Sequence, residues 1–485
     1  WLKRSARLET PPSSRPIPYP ITSARPQPRP LAISMSMSSK SMLAALGAAL
    51  ALSILPRRAA GSFLRRPFGS TATAFEDYVR THRRSYEAGS DEWDMRRQRF
   101  EKSLAMVQLQ NENPDRLWTA ELTRLSDRTD SELAALKGYF TGGRPEAPAA
   151  IGEALFGEDH QSFDLATLPP DFTWASKLQA TSQVMDQAHC GSCWAFSSST
   201  VLRAHSELFQ QDRKFSVQQI VSCTPNPNKC GGDGGCKGAT AELAMEYVFK
   251  NGCVTSEEWG YDGTDAAAGK CPESSADNNS SQPLRAIAPA SFSAASAADI
   301  TAAAGQIGGM SFGMRGYRKL PENQLAPVML TLVQKGPVVV SLSAGPEWSI
   351  YHHGIMDACD KDAIIDHAVV LLGFGVGKEG NEKGAKYWHI QNSWGGNWGE
   401  SGYIRLGRHD NTVEREYCGM DRQPEIGSGC KNGPPQVKVC GSCGLLYDVV
   451  VPDFELGANG LWSSKSFVEQ LRDRTSTAAV GGKRY

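Results

Sequence analysis

The sequence has no cysteine in its first 189 residues, and all twelve of its cysteines lie beyond that point. The N-terminal part therefore cannot be a disulfide-stapled module, whereas the rest has the cysteine density of a protein made in an oxidising compartment. An excess of either charge is also missing. Against 52 Asp and Glu there are 51 Lys and Arg, for a net charge of −1, which offers nucleic acid or an acidic membrane surface nothing to bind. The apolar run Met42–Leu55, MLAALGAALALSIL, is too short to cross a bilayer. With Lys40 before it and Arg57-Arg58 after it, it has the form of the apolar stretch of a secretory signal.

The chain's 485 residues are enough for two to four domains, and 40% apolar composition supports a core. With 47 Gly and 28 Pro, long connections fit better than a helical bundle. Residues 1–34 hold eight prolines and no periodicity, which predicts a disordered or non-native leader, with Met35 or Met37 as the expected start. A signal peptide is expected over 35–60, although Arg58 stands where a small residue is wanted before the Ala59-Ala60 cleavage point. Residues 72–140 are charged and helical in rhythm. Trp93, Arg96, Phe100, Ser103, Leu104, Val107 and Asn111 recur at spacings of three and four, and Glu92 and Arg96 can pair along one face. A Gly/Pro/Ala-rich linker covers 141–167, a second folded region 168–424, and a cysteine-containing tail 425–485. In the second region a helical segment after Cys193 carries Val201, Leu202, His205, Leu208 and Phe209 on one face. Strand-like runs follow at Val338–Leu342, Ala368–Phe374, Tyr387–Asn392 and Gly402–Leu406. Helices first and strands later predict an α+β fold of two packed subdomains. An Ala/Ser-rich insertion between Cys271 and Met310 is expected at the surface, with glycosylation sequons at Asn278 and Asn279.

The segment His189–Phe196 is HCGSCWAF, and its CGSC core returns at Cys440–Cys443. A redox dithiol would place its reactive cysteine first, in a thioredoxin-like βαβ unit, and no such unit precedes it. A zinc site needs two more ligands at close spacing, and none follow. The remaining reading is a nucleophilic cysteine, which requires a base, a group to orient that base, and an oxyanion donor. The second CGSC lacks the upstream Gln and the Trp-Ala-Phe helix start. With Cys430 it is expected to supply one disulfide and a leftover thiol.

The stretch Gln187–Phe196 resembles the active-site segment of papain-family cysteine proteases. Asp366-His367-Ala368-Val369 resembles the family's histidine segment, and Asn392–Glu400, NSWGGNWGE, its asparagine segment. The likeness covers residues 168 to about 424. It implies a helical left subdomain and an antiparallel, barrel-like right subdomain. It also implies Cys193 as nucleophile, His367 as ion-pair partner and general acid, Asn392 as the ring's anchor, and Gln187 as oxyanion donor. Trp394 would shield the His–Asn bond. The separation of Cys193 and His367 exceeds the family's usual one, which the Ala/Ser insertion explains.

Further expectations rest on the same resemblance. Cys190 would pair with Cys236, Cys223 with Cys271, and Cys359 with Cys418. Cys230 and Cys253 are extra to the pattern and are expected to pair with each other. Gly238, Ala239 and Asp366 would bound the cleft, with Ala239 standing where the family commonly has glycine. Thr240, Ala241, Ser341 and Ile365 would line a pocket for an apolar side chain two residues before the cut. Glu92, Arg96, Phe100, Ser103, Val107 and Asn111 resemble the family's prodomain pattern, with Ser for Asn and Val for Ile, on the cathepsin L side of the family. Such a prodomain blocks the cleft until removed, and its carboxylate–arginine contacts are expected to weaken in acid. The whole implies a monomeric cysteine endopeptidase made as a zymogen, lysosomal, vacuolar or secreted, acting on polypeptides without metal or cofactor. A catalytically silent binding or storage homologue is the alternative.

Overall fold

In the N-terminal unit α1 (Thr71–Thr81) crosses α2 (Asp91–Glu112). Ser90 caps α2 by accepting the Trp93 N–H at 3.1 Å, and Asp91, Glu92 and Asp94 fill the first turn, where carboxylates complement the helix dipole. The expected stripe turns Phe100 and Leu104 inward against Phe75 and Tyr78. Phe75 stands edge-on to Trp93 at 4.9 Å. The description given by this computed structural model covers residues 71–138, 165–209, 212–263, 308–409 and 417–454. The run Met42–Leu55, Cys271, Asn278 and Asn279 lie outside the described residues.

The polar members of the α2 pattern face the chain that follows. Asn111 donates to Ala120 O at 2.7 Å and accepts from Ala120 N at 3.0 Å, which holds β1 (Trp118–Ala120). Ser103 donates to Ser126 O at 2.9 Å. Arg96 meets Glu92 at 3.3 Å as expected, but its closer partner is Glu132 at 2.9 Å. Glu132 lies in α3 (Asp130–Ala135), where it also closes a capping box with Thr129.

The second region starts at β2 (Phe172–Thr173) and continues with α4 (Cys193–Phe209), α5 (Val217–Cys223) and α6 (Ala241–Asn251). Next come β3 (Met314–Lys319), α7 (Leu325–Gln334), β4 (Val338–Leu342), β5 (Tyr351–Met356), β6 (His367–Val376), β7 (Lys386–Gln391) and β8 (Tyr403–Gly407). The chain ends in β9 (Cys418–Asp421), β10 (Val437–Cys440) and β11 (Asp448–Phe454). The main sheet runs β1-β5-β8-β7-β6-β4-β11-β3, with β2 added beside β6. All its pairings are antiparallel except β5–β8. Strand β1 of the N-terminal unit extends the sheet's edge by pairing Trp118 with Gly354.

Helix α4 was expected to bury one face. It buries almost its whole circumference, because α5 and α6 pack on it from one half of the fold and β4, β6 and β11 from the other. Val201 and Leu202 are fully buried, each side chain contributing about 1.5–3 kcal/mol of hydrophobic stabilisation. Ser199 is satisfied by donating to Phe215 O at 3.0 Å.

The expected tail is corrected. Residues 448–454 are an interior strand, β11, hydrogen-bonded to β4 on one side and β3 on the other, with Val449, Val450 and Val451 buried. Two expected cysteine pairings are corrected with it. Cys230 bonds Cys430 rather than Cys253, and Cys359 bonds Cys443 rather than Cys418, which pairs with Cys440. The reason is local: β10 lies antiparallel to β9 with Cys440 opposite Cys418, so the nearest thiol is supplied by the segment after 424. Cys253 is a free, buried thiol donating to Ser216 O at 3.6 Å. The expected Cys190–Cys236 bond is present. Cys223 is also disulfide-bonded, and its expected partner Cys271 is outside the described residues.

Candidate active site

Cys193 is the first residue of α4, placed there by the turn that the Cys190–Cys236 disulfide anchors. A helix N-terminus directs positive partial charge at its sulfur. His367 begins β6, far along the chain, and the two elements pack together. The N–H of Ala368, next to His367, points at Cys193 Sγ from 3.4 Å. The thiol and the ring residue thus meet in one place, between the two halves of the fold.

His367 Nε2 lies 2.8 Å from Asn392 Oδ1. That oxygen also accepts the Ser393 N–H at 2.8 Å, so it is an acceptor and Nε2 carries the proton. The neutral ring therefore keeps its lone pair on Nδ1, which has no hydrogen-bond partner among the described residues. Trp394 sits 5.0 Å from the ring at a tilt, and Trp348 stands edge-on at 6.0 Å. Trp398 stacks on Trp348 at 5.9 Å, so three indoles exclude water from the His–Asn bond. Trp348 comes from a short 3-10 turn, and no motif in the sequence marks it.

Gln187 donates through Nε2 to Leu136 O at 2.7 Å and to Cys190 O at 2.8 Å, while its Oε1 accepts from Ser393 Oγ. The side chain is buried and fixed at both ends.

Three residues from the end of the N-terminal unit lie on this site. Leu136 O meets Gln187, and Lys137 O accepts from Cys193 Sγ at 2.8 Å. Gly138 covers Gly191 and Gly238. A Cβ at Gly138 would lie 2.6 Å from Gly191 O and 2.7 Å from Cys193 Sγ, and its φ is +69°. Lys137 Nζ pairs with Asp366 Oδ2 at 2.8 Å, and Asp366 Oδ1 accepts the Ala344 N–H at 2.9 Å. None of the three was singled out from the sequence, because their part depends on contacts across the chain.

Burial sets the charge state under this cover. It pushes the Cys193 thiol up to about 12, against the opposing backbone N–H groups of Ala368 and Trp194. Burial also lowers His367 to about 4, despite the Asn392 bond. In the covered protein the pair is a neutral thiol and a neutral imidazole, not the ion pair that the resemblance implies for an open site.

Among the other expected residues, Ala239, Thr240 and Ala241 follow Gly238 into α6 and are buried. Ser341 on β4 donates to Asp448 on β11 at 2.6 Å. Ile365 is buried against Val439 and Tyr447 of the C-terminal segment.

The papain family cysteine protease profile matches residues 168–427. This chain belongs to the papain family of cysteine proteases. The cathepsin propeptide inhibitor domain profile matches residues 75–133, so this papain-family peptidase, a hydrolase, carries an inhibitory prodomain of its own. Cathepsin L2 of Homo sapiens is 28% identical over 359 residues, covering 72% of this chain and 90% of that protein. The KDEL-tailed cysteine endopeptidase CEP2 of Arabidopsis thaliana is 29% identical over 315 residues, 63% of this chain and 72% of its own. In fold, the peptidase and prodomain are similar to the digestive procathepsin L 3 of Tenebrio molitor larval midgut. That likeness has a TM-score of 0.52 at 19% identity, covering 80% of this chain and 100% of that one. Among the described residues no helix is long and apolar enough to cross a membrane.

Proposed function

We propose that Cys193 is the nucleophile of an endopeptidase that passes through an acyl-enzyme. The single observation carrying this is a main-chain carbonyl, Lys137 O, lying 2.8 Å from Cys193 Sγ while the Ala368 N–H beside His367 faces the same sulfur. A peptide carbonyl can evidently reach the thiol. With the prodomain gone, water enters the site, the thiol proton moves to His367 Nδ1, and the thiolate–imidazolium pair forms.

The thiolate attacks the substrate carbonyl carbon, and the developing oxyanion takes the N–H of Gln187 and the backbone N–H of Cys193. One such donor is worth about 3 kcal/mol of barrier. His367 gives its proton to the leaving amine as the C–N bond breaks. Water, deprotonated by His367, then attacks the thioester, and breaking of the C–S bond releases the acid and restores the thiolate–imidazolium pair. Asn392 holds the ring's Nε2–H throughout, so only Nδ1 exchanges protons.

Uncovering the site moves a proton from sulfur to nitrogen without changing the number held. One proton is shared by the pair in both states, so the catalytic pair itself contributes little pH dependence to prodomain release. We also place the protein in the endomembrane system or outside the cell, which its four disulfides among the described residues support.

A peptidyl epoxide offered to the activated enzyme should add to Cys193 alone. Cys193→Ser should abolish labelling and hydrolysis, whereas Cys190→Ser should mainly lower stability. Label found on another residue, or hydrolysis surviving in Cys193→Ser, would refute the assignment.

A further inference from the structure

Tyr261 lies in the loop after α6, and its hydroxyl joins two segments of the active site. Tyr261 Oη donates to Gln187 O at 2.9 Å and lies 3.0 Å from Ser192 Oγ. A phenol has one proton and a carbonyl can only accept, so that proton goes to Gln187 and Ser192 donates to Tyr261. The other acceptor near the serine, Cys190 O, is farther away at 3.5 Å. Burial pushes the phenol up to about 12, with the Ser192 bond opposing, so Tyr261 keeps its proton at neutral pH.

The ring and its loop are fixed as well. Phe196, in the first turn of α4, stands edge-on to Tyr261 at 4.7 Å. Ser216 Oγ donates to Trp259 O at 2.7 Å, and Asp262 N donates to Gln218 Oε1 at 3.2 Å, which ties the loop to the start of α5. The turn on the far side of the bridge is strained. Ala188 has a φ of +56°, a left-handed conformation unfavourable to any residue with a Cβ. Relaxation there would swing the Gln187 main chain that Tyr261 holds.

We propose that Tyr261 is a positioning residue for the oxyanion site, its hydroxyl bridging Ser192 and Gln187 so that both oxyanion donors face one point. The inference rests on the peptidase reading of Cys193. One donor is the Gln187 side chain, and the other is the N–H of the peptide joining Ser192 to Cys193, so a single bridge sets the spacing between them. Gln187 Nε2 gives one N–H to Cys190 O at 2.8 Å, which aims the other at Leu136 O at 2.7 Å. Once the prodomain leaves, that second N–H is free for the substrate oxygen. Loss of the bridge is felt where negative charge develops on that oxygen, not in ground-state binding along the cleft.

The test is Tyr261→Phe, which removes the oxygen and keeps the ring against Phe196. In the activated enzyme kcat on a peptide amide should fall about tenfold, part of the roughly 100- to 1000-fold that a whole oxyanion donor supplies. KM should stay within about twofold. A peptidyl aldehyde, whose hemithioacetal oxygen occupies the same site, should bind about tenfold more weakly. Alkylation of Cys193 by iodoacetamide forms no oxyanion, so its rate and pH profile should not change, whereas a merely structural role would shift both. In a Gln187→Ala background the same replacement should cost less than about threefold, because the donor it positions is gone. Ser192→Ala breaks the bridge from its other end, so it should lower kcat and aldehyde affinity together even where Tyr261→Phe fails to fold. Wild-type kcat and aldehyde affinity in these variants, an undiminished loss on top of Gln187→Ala, or an altered alkylation profile overturns the assignment. Hydrolysis by the wild type in any of those cases leaves the peptidase reading standing, so the two can fail separately.

Discussion

Gly138 is where the inhibitory segment has least room. Replacing it with alanine puts a Cβ 2.6 Å from Gly191 O and 2.7 Å from Cys193 Sγ, both closer than such contacts occur. Its φ of +69° adds left-handed strain of about 1–2 kcal/mol for any L side chain. Overpacking against backbone that the Cys190–Cys236 bond restrains adds about 1–3 kcal/mol. Together these weaken the covering segment by about 2–5 kcal/mol, and at 1.4 kcal/mol per tenfold the covered state loses at least roughly 30-fold in occupancy. The assay is the rate at which a peptidyl epoxide labels Cys193 in the intact zymogen at pH 7, before processing. Gly138→Ala should label at least an order of magnitude faster than wild type. Equal rates would show that residues 136–138 do not control access to the sulfur.

Arg96 holds the Glu132 carboxyl down at about 2 against the cost of its burial, so this contact stabilises the prodomain above about pH 4.5 and is lost only as pH falls from there toward 2. Glu132→Gln should therefore lower the zymogen's melting temperature about equally at pH 7 and pH 5, by the equivalent of about 1–2 kcal/mol after allowance for partial exposure; a wild type as unstable as the variant at pH 5 would contradict this. Non-reducing peptide mapping should recover Cys230–Cys430, Cys359–Cys443 and Cys418–Cys440, and a Cys230–Cys253 link would refute the C-terminal architecture. With Cys193→Ala, His367 can no longer exchange its proton with sulfur. Burial lowers the ring to about 4 when covered, against an unperturbed 6.5, so the uncovered state of this variant gains a proton as pH falls through that window and the prodomain is released. Isolated prodomain should lose roughly 100-fold more affinity for Cys193→Ala than for wild type between pH 7 and pH 4.5, and parallel pH slopes would refute the proton balance.

The acid lability expected from the prodomain's carboxylates changes in this light. Glu132, the close partner of Arg96, sits too low to titrate between pH 4 and 7, because a partner that shifts a carboxyl downward also moves its titration out of the physiological range. Sequence shows that Glu92 and Arg96 share a helix face, but not that Glu132, beyond β1, is the closer partner. Legibility followed the range of the interaction. Where chemistry is carried by one continuous segment, as in Gln187–Phe196 or Asn392–Glu400, residue order was enough to mark the candidates. The strands β4, β6, β7 and β8 were likewise visible as short apolar runs. Lys137 and Gly138 have no local signature, since what matters is the carbonyl and the missing Cβ they bring to Cys193.

The C-terminal segment shows the same limit in its cysteines. Twelve cysteines allow many pairings, and analogy selects among them only while the chain near each one follows the family's course. Beyond residue 424 the chain turns back as β10 against β9 before entering the sheet as β11, which places Cys440 opposite Cys418 and leaves Cys443 to bond Cys359. The same excursion closes a charged cavity at Glu242 and buries Ile365. The three disulfides, the interior strand and the charged cavity are therefore consequences of the course of one segment. A truncation at 424 would remove β11 from between β3 and β4 and leave both strands with unpaired backbone groups, which costs far more than losing a flexible tail.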